Sequence, residues 1–358
     1  MPQDAGIANA APRARPRAAA AFPLLIADGD IPTTQLIARV LREAHGGVET
    51  RYPETLFGAD VERAHVAFSR FCVPTHGWLP RYLAARGIGY TYFLDDNFWA
   101  LTADVDPHLS TFFSHPETIA TLDVFIRGAR AAVVMSRRLG EVIRDRLPGT
   151  PIEYLNPPFD TDKANALLQA IPNTPRDDGV VRIGYPTSRR PSVAALLDPV
   201  VRHLAQRYAG RIAFEFVGWM PDALADVPGV TLLPHVPDYD RYLEFKVSRR
   251  WDIGLAPLVG SAFDACKTSV KYREYGGCRI AGVYGNVPPY TDDVAHGRTG
   301  LLADHHADAW IAALERLVES PELRDAIAAN AHADIEARFS QRASVRRWID
   351  IATTYANR

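Results

Sequence analysis

The sequence predicts an α/β protein of two Rossmann-like halves facing a cleft. Three observations carry this. Short apolar runs bounded by Gly, Pro, Asn and Asp alternate with longer stretches of helical spacing. The alternation restarts near residue 180, after the polar stretch NTPRDDG at 173–179, which reads as a linker. The 358 residues suffice for two domains of ordinary size.

The first half covers 23–172. Residues 23–27 (PLLIA) read as a buried strand, with Asp28 and Asp30 in the loop after it. Thr33 is placed as the cap of a helix carrying Leu36, Ile37, Val40 and Leu41. Strands follow at 66–71 and 89–94, with a helix at 79–86 stopped by Gly87. Asp95 and Asp96 close the second of these strands, where open α/β sheets meet their ligands; the other reading is a helix cap and a turn. His76, beside Gly77, either lines the cleft or is an exposed loop residue. A helix at 123–129, a strand at 131–135, a helix opened by Ser136 and a strand at 152–155 complete this half. Asn156-Pro157-Pro158-Phe159-Asp160 forms a rigid exit.

The second half covers 173–335. It has strands at 180–185, 212–217, 230–233, around 253–256 and at 280–284. After the first, Ser192 is expected to cap a helix with Val193, Leu196, Leu197, Val200, Val201 and Leu204 on one stripe. Another helix starts at Tyr239, and one is expected from 266 to 275, stopped by Gly276 and Gly277. A glycine turn follows at 296–300. Amphipathic helices then carry Trp310, Leu314 and Leu317, and Leu323, Ile327 and Ile335. Residues 336–358 form a terminal helix.

Composition narrows the classes. Apolar content of 47% with 23% charged residues is an ordinary globular mix, and a net charge of -2 gives no nucleic-acid footprint. Cys72, Cys266 and Cys278 show no C-x-x-C or metal spacing, which suits a reducing cytoplasm. No apolar run reaches the roughly 20 residues of a spanning helix. A peripheral membrane contact through a surface patch stays open. Residues 1–22, rich in Ala, Pro and Arg without the apolar core of a secretory signal, read as a disordered tail. Dehydrogenases, P-loop enzymes and serine hydrolases are disfavoured. No G-x-G-x-x-G follows a strand, and neither G-x-x-x-x-G-K-[ST] nor G-x-S-x-G occurs.

The chemistry concentrates at 251–304. On the expected 266–275 helix, Lys267, Lys271 and Glu274 are four and three apart and share a face. Two lysines at a helix N-terminus, with its free N–H groups, make a seat for a diphosphate. A carboxylate one turn on can accept from a ribose diol. The same spacing also suits a solvated face with ion pairs worth about 0.2–0.5 kcal/mol each. Arg189 and Arg190, in the loop after the first strand of this half, offer a donor fork suited to phosphate.

The order DIGLAPL (252–258), FDACKTSVKYREY (263–275), GNVPPY (285–290) and GRTGLL (297–302) resembles the donor half of retaining GT-B glycosyltransferases of glycosyltransferase family 4. More narrowly, it looks like the bacterial members that build surface polysaccharides. YFLDDNFW at 92–99 and the NPPFD exit resemble other segments of those enzymes. The resemblance implies the GT-B fold and transfer, with retention, of a hexose-type sugar. The donor is a UDP- or GDP-linked sugar acting as co-substrate, and the acceptor a glycan or lipid-linked molecule. No metal and no further cofactor are implied. The location implied is the cytoplasm, at the inner face of the membrane.

Carried over residue by residue, the resemblance puts Glu274 on the ribose. It puts Lys267, Lys271 and Arg189 or Arg190 on the leaving diphosphate. The family's sugar-contacting acid, eight positions before Glu274, is replaced by Cys266, with Asp264 the nearest acid. Gly184, Ser188, Gly218 and Ser269 are assigned to the nucleotide sugar, Val236 and Tyr239 to the nucleobase side, and Asp28, His76, Asp95 and Asp96 to the acceptor side. The D-x-D pairs Asp28/Asp30 and Asp104/Asp106 match a metal pattern of the other main glycosyltransferase fold but read as solvated loop acids. The terminal helix is expected to cross back onto the first domain. Two rival readings stay open. One is a nucleotide-sugar epimerase using the carboxylates and His76. The other is a non-catalytic sugar-nucleotide or glycan-binding partner in a biosynthetic complex, suggested by Cys266.

Overall fold

The computed structural model describes residues 23–56, 60–62, 65–170 and 178–356. The tail at 1–22 and most of the expected linker lie outside them. Among the described residues, twelve strands form two six-stranded parallel sheets. The first contains β1 (Leu24–Ala27), β2 (Glu49–Arg51), β3 (Val66–Ser69), β4 (Tyr90–Leu94), β5 (Ala131–Val134) and β6 (Ile152–Tyr154). The second contains β7 (Val181–Pro186), β8 (Ile212–Val217), β9 (Val230–Leu233), β10 (Ile253–Ala256), β11 (Ala281–Gly285) and β12 (Leu301–Ala303). The orders are β2-β1-β3-β4-β5-β6 and β12-β11-β10-β7-β8-β9.

Parallel strands covered by helices on both faces read as unbroken apolar runs, and β1, β3, β5, β10 and β11 are buried along their whole lengths. Each sheet order reverses once, between β1 and β3 and between β7 and β10. Chain crossing to opposite sides at these points leaves a crevice at the carboxyl ends. β2 has only half-buried residues (ETR) and no apolar alternation, so nothing in its sequence announces it. β12 follows the expected glycine turn directly.

Several local expectations are corrected. Thr33 is not a cap: Ile31 holds that position and Pro32 starts the helix Pro32–His45. The Thr33 hydroxyl instead donates to Asp95 Oδ2 at 2.7 Å. Ser192 lies inside the helix Pro191–Arg207, because Pro191, with φ preset and no N–H to satisfy, takes its first turn. The helix expected over 266–275 is broken into Ala262–Ala265 and Val270–Gly277. Ser261 Oγ caps the first piece through Asp264 N at 3.0 Å. Lys267 is therefore off the helix that carries Lys271 and Glu274, and Gly276 and Gly277 are its last residues. Helices Pro107–Phe113 and Thr161–Ala170 are additional to those expected.

The two halves are tied together. Phe263 and Cys266, from the second half, are buried in the core of the first beside Phe98 and Phe113. Asn97 Nδ2 donates to the Ala262 carbonyl at 3.4 Å. Arg39 bridges Asp160 and Asp240. The terminal helix Gln341–Ala356 returns to the first sheet, packing Trp348, Ile351 and Tyr355 against Leu25, Ile37, Leu41 and Phe93. Among the described residues no helix is long and apolar enough to cross a membrane.

Candidate functional site

The crevice between the sheets holds a cavity of about 410 Å³. Its first wall comes from the ends of β1, β3 and β4. There Arg70, buried and stacked 4.6 Å over Phe98, faces two carboxylates. Its Nη2 donates to Asp96 Oδ2 at 3.3 Å, and its Nε lies 3.3 Å from Asp95 Oδ1. Asp28 stands close by. Burial pushes its carboxyl up to about 6, with Arg70 pulling the other way. Burial likewise raises Asp95. Asp96 is half-buried, and Lys267 and Arg70 outweigh that desolvation and hold it below the usual carboxylate range. Lys267 Nζ reaches across the cleft and donates to Asp96 Oδ1 at 2.9 Å.

The second wall comes from the loops after β7 and β10 and from the helix Val270–Gly277. The structure separates the two candidate arginines. Arg189 is exposed and does not line this cavity, whereas Arg190 lines it and donates from Nη1 to Asp264 Oδ1 at 3.3 Å. Asp264 is fully buried, and its Oδ2 has no hydrogen-bond partner among the described residues. Ser188, Lys271 and Thr268 line the same cavity. Burial pushes the Lys271 ammonium down to about 8, opposed by Glu274.

Glu274 is buried rather than on a solvated face. Its Oε2 accepts from Lys246 Nζ at 2.6 Å, Tyr242 Oη at 3.2 Å and Lys271 Nζ at 3.5 Å. Burial alone raises a carboxyl, but Lys246 and Lys271 overcome it and hold Glu274 down at about 2. Lys246 was not singled out from the sequence. The signal was present: it sits four residues after Tyr242 and beside Leu243 and Val247 on the buried stripe of the helix Tyr239–Arg249. A lysine on such a stripe needs a buried partner.

Other assignments fall elsewhere. Gly184 is mid-strand in β7, where an added Cβ would lie 2.1 Å from the Trp251 indole; it serves strand packing, not the cleft. Gly218 closes β8 at φ +87, and a Cβ there would stand 2.8 Å from the Thr187 carbonyl, so it shapes the loop that carries Ser188 and Arg190. Ser269 faces away from the cleft, donating to Asp293 Oδ2 at 2.6 Å. His76 packs edge-on to Phe71 at 5.4 Å and does not line this cavity. Val236 is half-buried and Tyr239 buried; neither lines the cavity, though Tyr239 N donates to Gln35 across the cleft at 2.8 Å.

Of the D-x-D acids, Asp28 is half-buried rather than solvated, and its Oδ1 has no hydrogen-bond partner among the described residues. Asp30 accepts from Gln35, Asp106 caps the helix Pro107–Phe113, and the Asp104 carbonyl accepts from Ser192 N. No group of three His, Cys, Asp or Glu among the described residues has a metal-holding arrangement.

The wall of the second half can thus present two cations, Arg190 and Lys271, beside a shielded carboxylate. That arrangement can seat a diphosphate and accept from a diol. Lys267 stands ready as a third, at present given to Asp96.

No family model matches the sequence, and no curated protein matches it. Solved structures do match in fold. A glycosyltransferase from Rickettsia africae aligns with a TM-score of 0.64 at 12% identity, covering 93% of this chain and 98% of its own. Sucrose-phosphate synthase from Thermosynechococcus elongatus aligns at 0.65 and 14%, covering 93% and 98%. Anabaena HepE in complex with UDP-glucose aligns at 0.61 and 14%, covering 93% and 99%. With two parallel Rossmann-like sheets facing one cleft and these neighbours across nearly its whole length, the chain has the GT-B fold.

Proposed function

We propose that this chain is a nucleotide-sugar-dependent glycosyltransferase that moves a hexose-type sugar, with retention, onto a glycan or lipid-linked acceptor in polysaccharide biosynthesis. The observation that carries this reading is the second wall of the cleft, where Arg190 and Lys271 line one cavity and Glu274 is held ionised behind them. Anabaena HepE, similar in fold, has been solved with UDP and with UDP-glucose, which supports a nucleoside diphosphate sugar, UDP- or GDP-linked, as the donor. In this reading residues 23–172 bind acceptor, 173–335 bind donor, and 336–358 brace the two.

The diphosphate is stabilised by Arg190 and Lys271, and by Lys267 once it leaves Asp96. Glu274 accepts from the ribose. Asp264, buried at the edge of the cleft against Arg190, orients that arginine. Asp28, Asp95 and Asp96 face the acceptor hydroxyl. The leaving phosphate takes the acceptor proton in a front-face attack, with no metal and no cofactor beyond the donor. The protein works in the cytoplasm, at the inner face of the membrane.

The test is donor turnover. UDP- and GDP-hexoses are incubated with the protein, with and without bacterial membrane lipid extract and without added metal. Release of nucleoside diphosphate that needs acceptor, with an α-donor giving an α-linked product by NMR, is the expected result. Conversion of the donor sugar to its epimer without acceptor would replace this reading, as would binding without turnover under every acceptor condition.

A further inference from the structure

A second hollow, of about 700 Å³, lies on the other side of the Lys267–Thr268 segment. It runs between the start of the helix Arg137–Arg146 in the first half and the start of the helix Val270–Gly277 in the second. Met135, Lys267, Thr268 and Arg273 line both hollows, so they are neighbours through one thin wall.

Its charge is unbalanced. Five cationic side chains line it against three carboxylates. Three of the five are occupied: Arg138 by Asp292, Arg338 by Asp293 and Asp334, and Lys267 by Asp96 outside the hollow. Arg137 and Arg273 are left over. Arg137 is exposed and has no ion pair among the described residues, its guanidinium lying 5.1 Å from the Tyr154 ring.

Arg273 is the decisive residue. It is 3% exposed, and Nη2 donates to Thr268 Oγ1 at 3.1 Å. Its Nε and Nη1 have no hydrogen-bond partner among the described residues. The carboxylates whose charge acts on it are already engaged, Asp293 by Ser269 and Arg338 and Glu274 by Lys246. A guanidinium out of water without a counter-ion is costly, and it persists in a folded protein where an anion completes it. The free donors arrive from two helices on opposite sides of the hollow, which suits the tetrahedral oxygens of a phosphate better than a flat carboxylate.

We propose that this hollow is a second anion site, beside the nucleotide cavity and sharing Arg273 with it, that takes a phosphate group through Arg273 and Arg137. A soluble phosphomonoester and the headgroup of an anionic lipid share that chemistry. The proposal does not rest on the donor reading: Arg137 lines only this hollow and Lys271 only the nucleotide cavity, so the two variants tell the sites apart, whereas Arg273 borders both.

The experiment titrates inorganic phosphate by calorimetry into the full chain and into Arg137→Ala, Arg273→Met and Lys271→Met. A parallel arm sediments the same proteins with phosphatidylcholine vesicles, with and without phosphatidylglycerol. The expected result is phosphate binding that survives Lys271→Met and weakens at least tenfold in Arg137→Ala and Arg273→Met. Binding only to the anionic vesicles, with the same dependence on Arg137, supports the site and names the lipid source. Arg137, being exposed, keeps the test valid if Arg273→Met fails to fold. Phosphate binding lost in Lys271→Met but kept in Arg137→Ala would overturn the proposal, as would binding of neither probe.

Discussion

Lys246 Nζ lies 2.6 Å from Glu274 Oε2, and both side chains are out of water. This pair joins the helix Tyr239–Arg249 to the helix Val270–Gly277 and fixes the carboxylate one turn beyond Lys271, behind the residues that line the cavity. Glu274 therefore has a structural duty beside any ligand it meets. Glu274→Ala leaves Lys246 buried and uncompensated, at a cost of about 3–5 kcal/mol in unfolding free energy. Urea denaturation checks this. A loss below about 1 kcal/mol would mean that water or another group takes over the lysine.

The same pair sets an acid limit. The folded Glu274 carboxyl titrates at about 2, below its ordinary value of 4.5. A depressed carboxyl contributes stability that is complete above pH 4.5 and is lost as pH falls from about 4.5 toward 2. The amount is on the order of 3–4 kcal/mol, since each tenfold change in proton affinity is worth about 1.4 kcal/mol. Stability measured by denaturant at pH 6, 4 and 3 should show this fall, and Glu274→Gln should remove that part of the slope.

Lys271 sets an alkaline limit on ligand binding. Burial brings its ammonium down to about 8 in the folded protein, from an ordinary value of 10.5. Unfolding lets it regain a normal affinity for protons, so between about pH 8 and 10.5 the unfolded state binds more protons and stability rises with pH. Affinity for a diphosphate moves the opposite way. As Lys271 loses its charge above pH 8, the dissociation constant for a nucleoside diphosphate should rise several-fold by about pH 9.5. Lys271→Arg should flatten that rise, since a guanidinium stays charged.

The architecture was readable because buried parallel strands leave contiguous apolar runs, such as LLIA in β1 and AAVV in β5. β2 leaves none, since its Glu-Thr-Arg edge is defined by pairing with β1 rather than by burial. The site was readable only as a neighbourhood. Lys271 and Glu274 follow from spacing on one helix, but Lys267 does not, because Ser261 caps a separate short helix and Thr268 and Ser269 interrupt the next. Choosing Arg190 over Arg189 needed the carboxylate of Asp264, 74 positions away in sequence. Gly184 misled for a physical reason: the residue facing it, Trp251, is distant in sequence and brought close only by the β7–β10 pairing.

The most direct measurement is calorimetric titration of UDP, GDP, ADP, CMP and TDP, without metal, into the full chain and into Lys271→Met. Lys271 is partly exposed in the cleft, so the variant keeps the fold, which circular dichroism verifies. If the Arg190–Lys271 wall seats the donor diphosphate, one nucleoside diphosphate binds the native chain and binds Lys271→Met at least tenfold more weakly. Equal affinity for the two proteins, or no binding of any of the five, would contradict it.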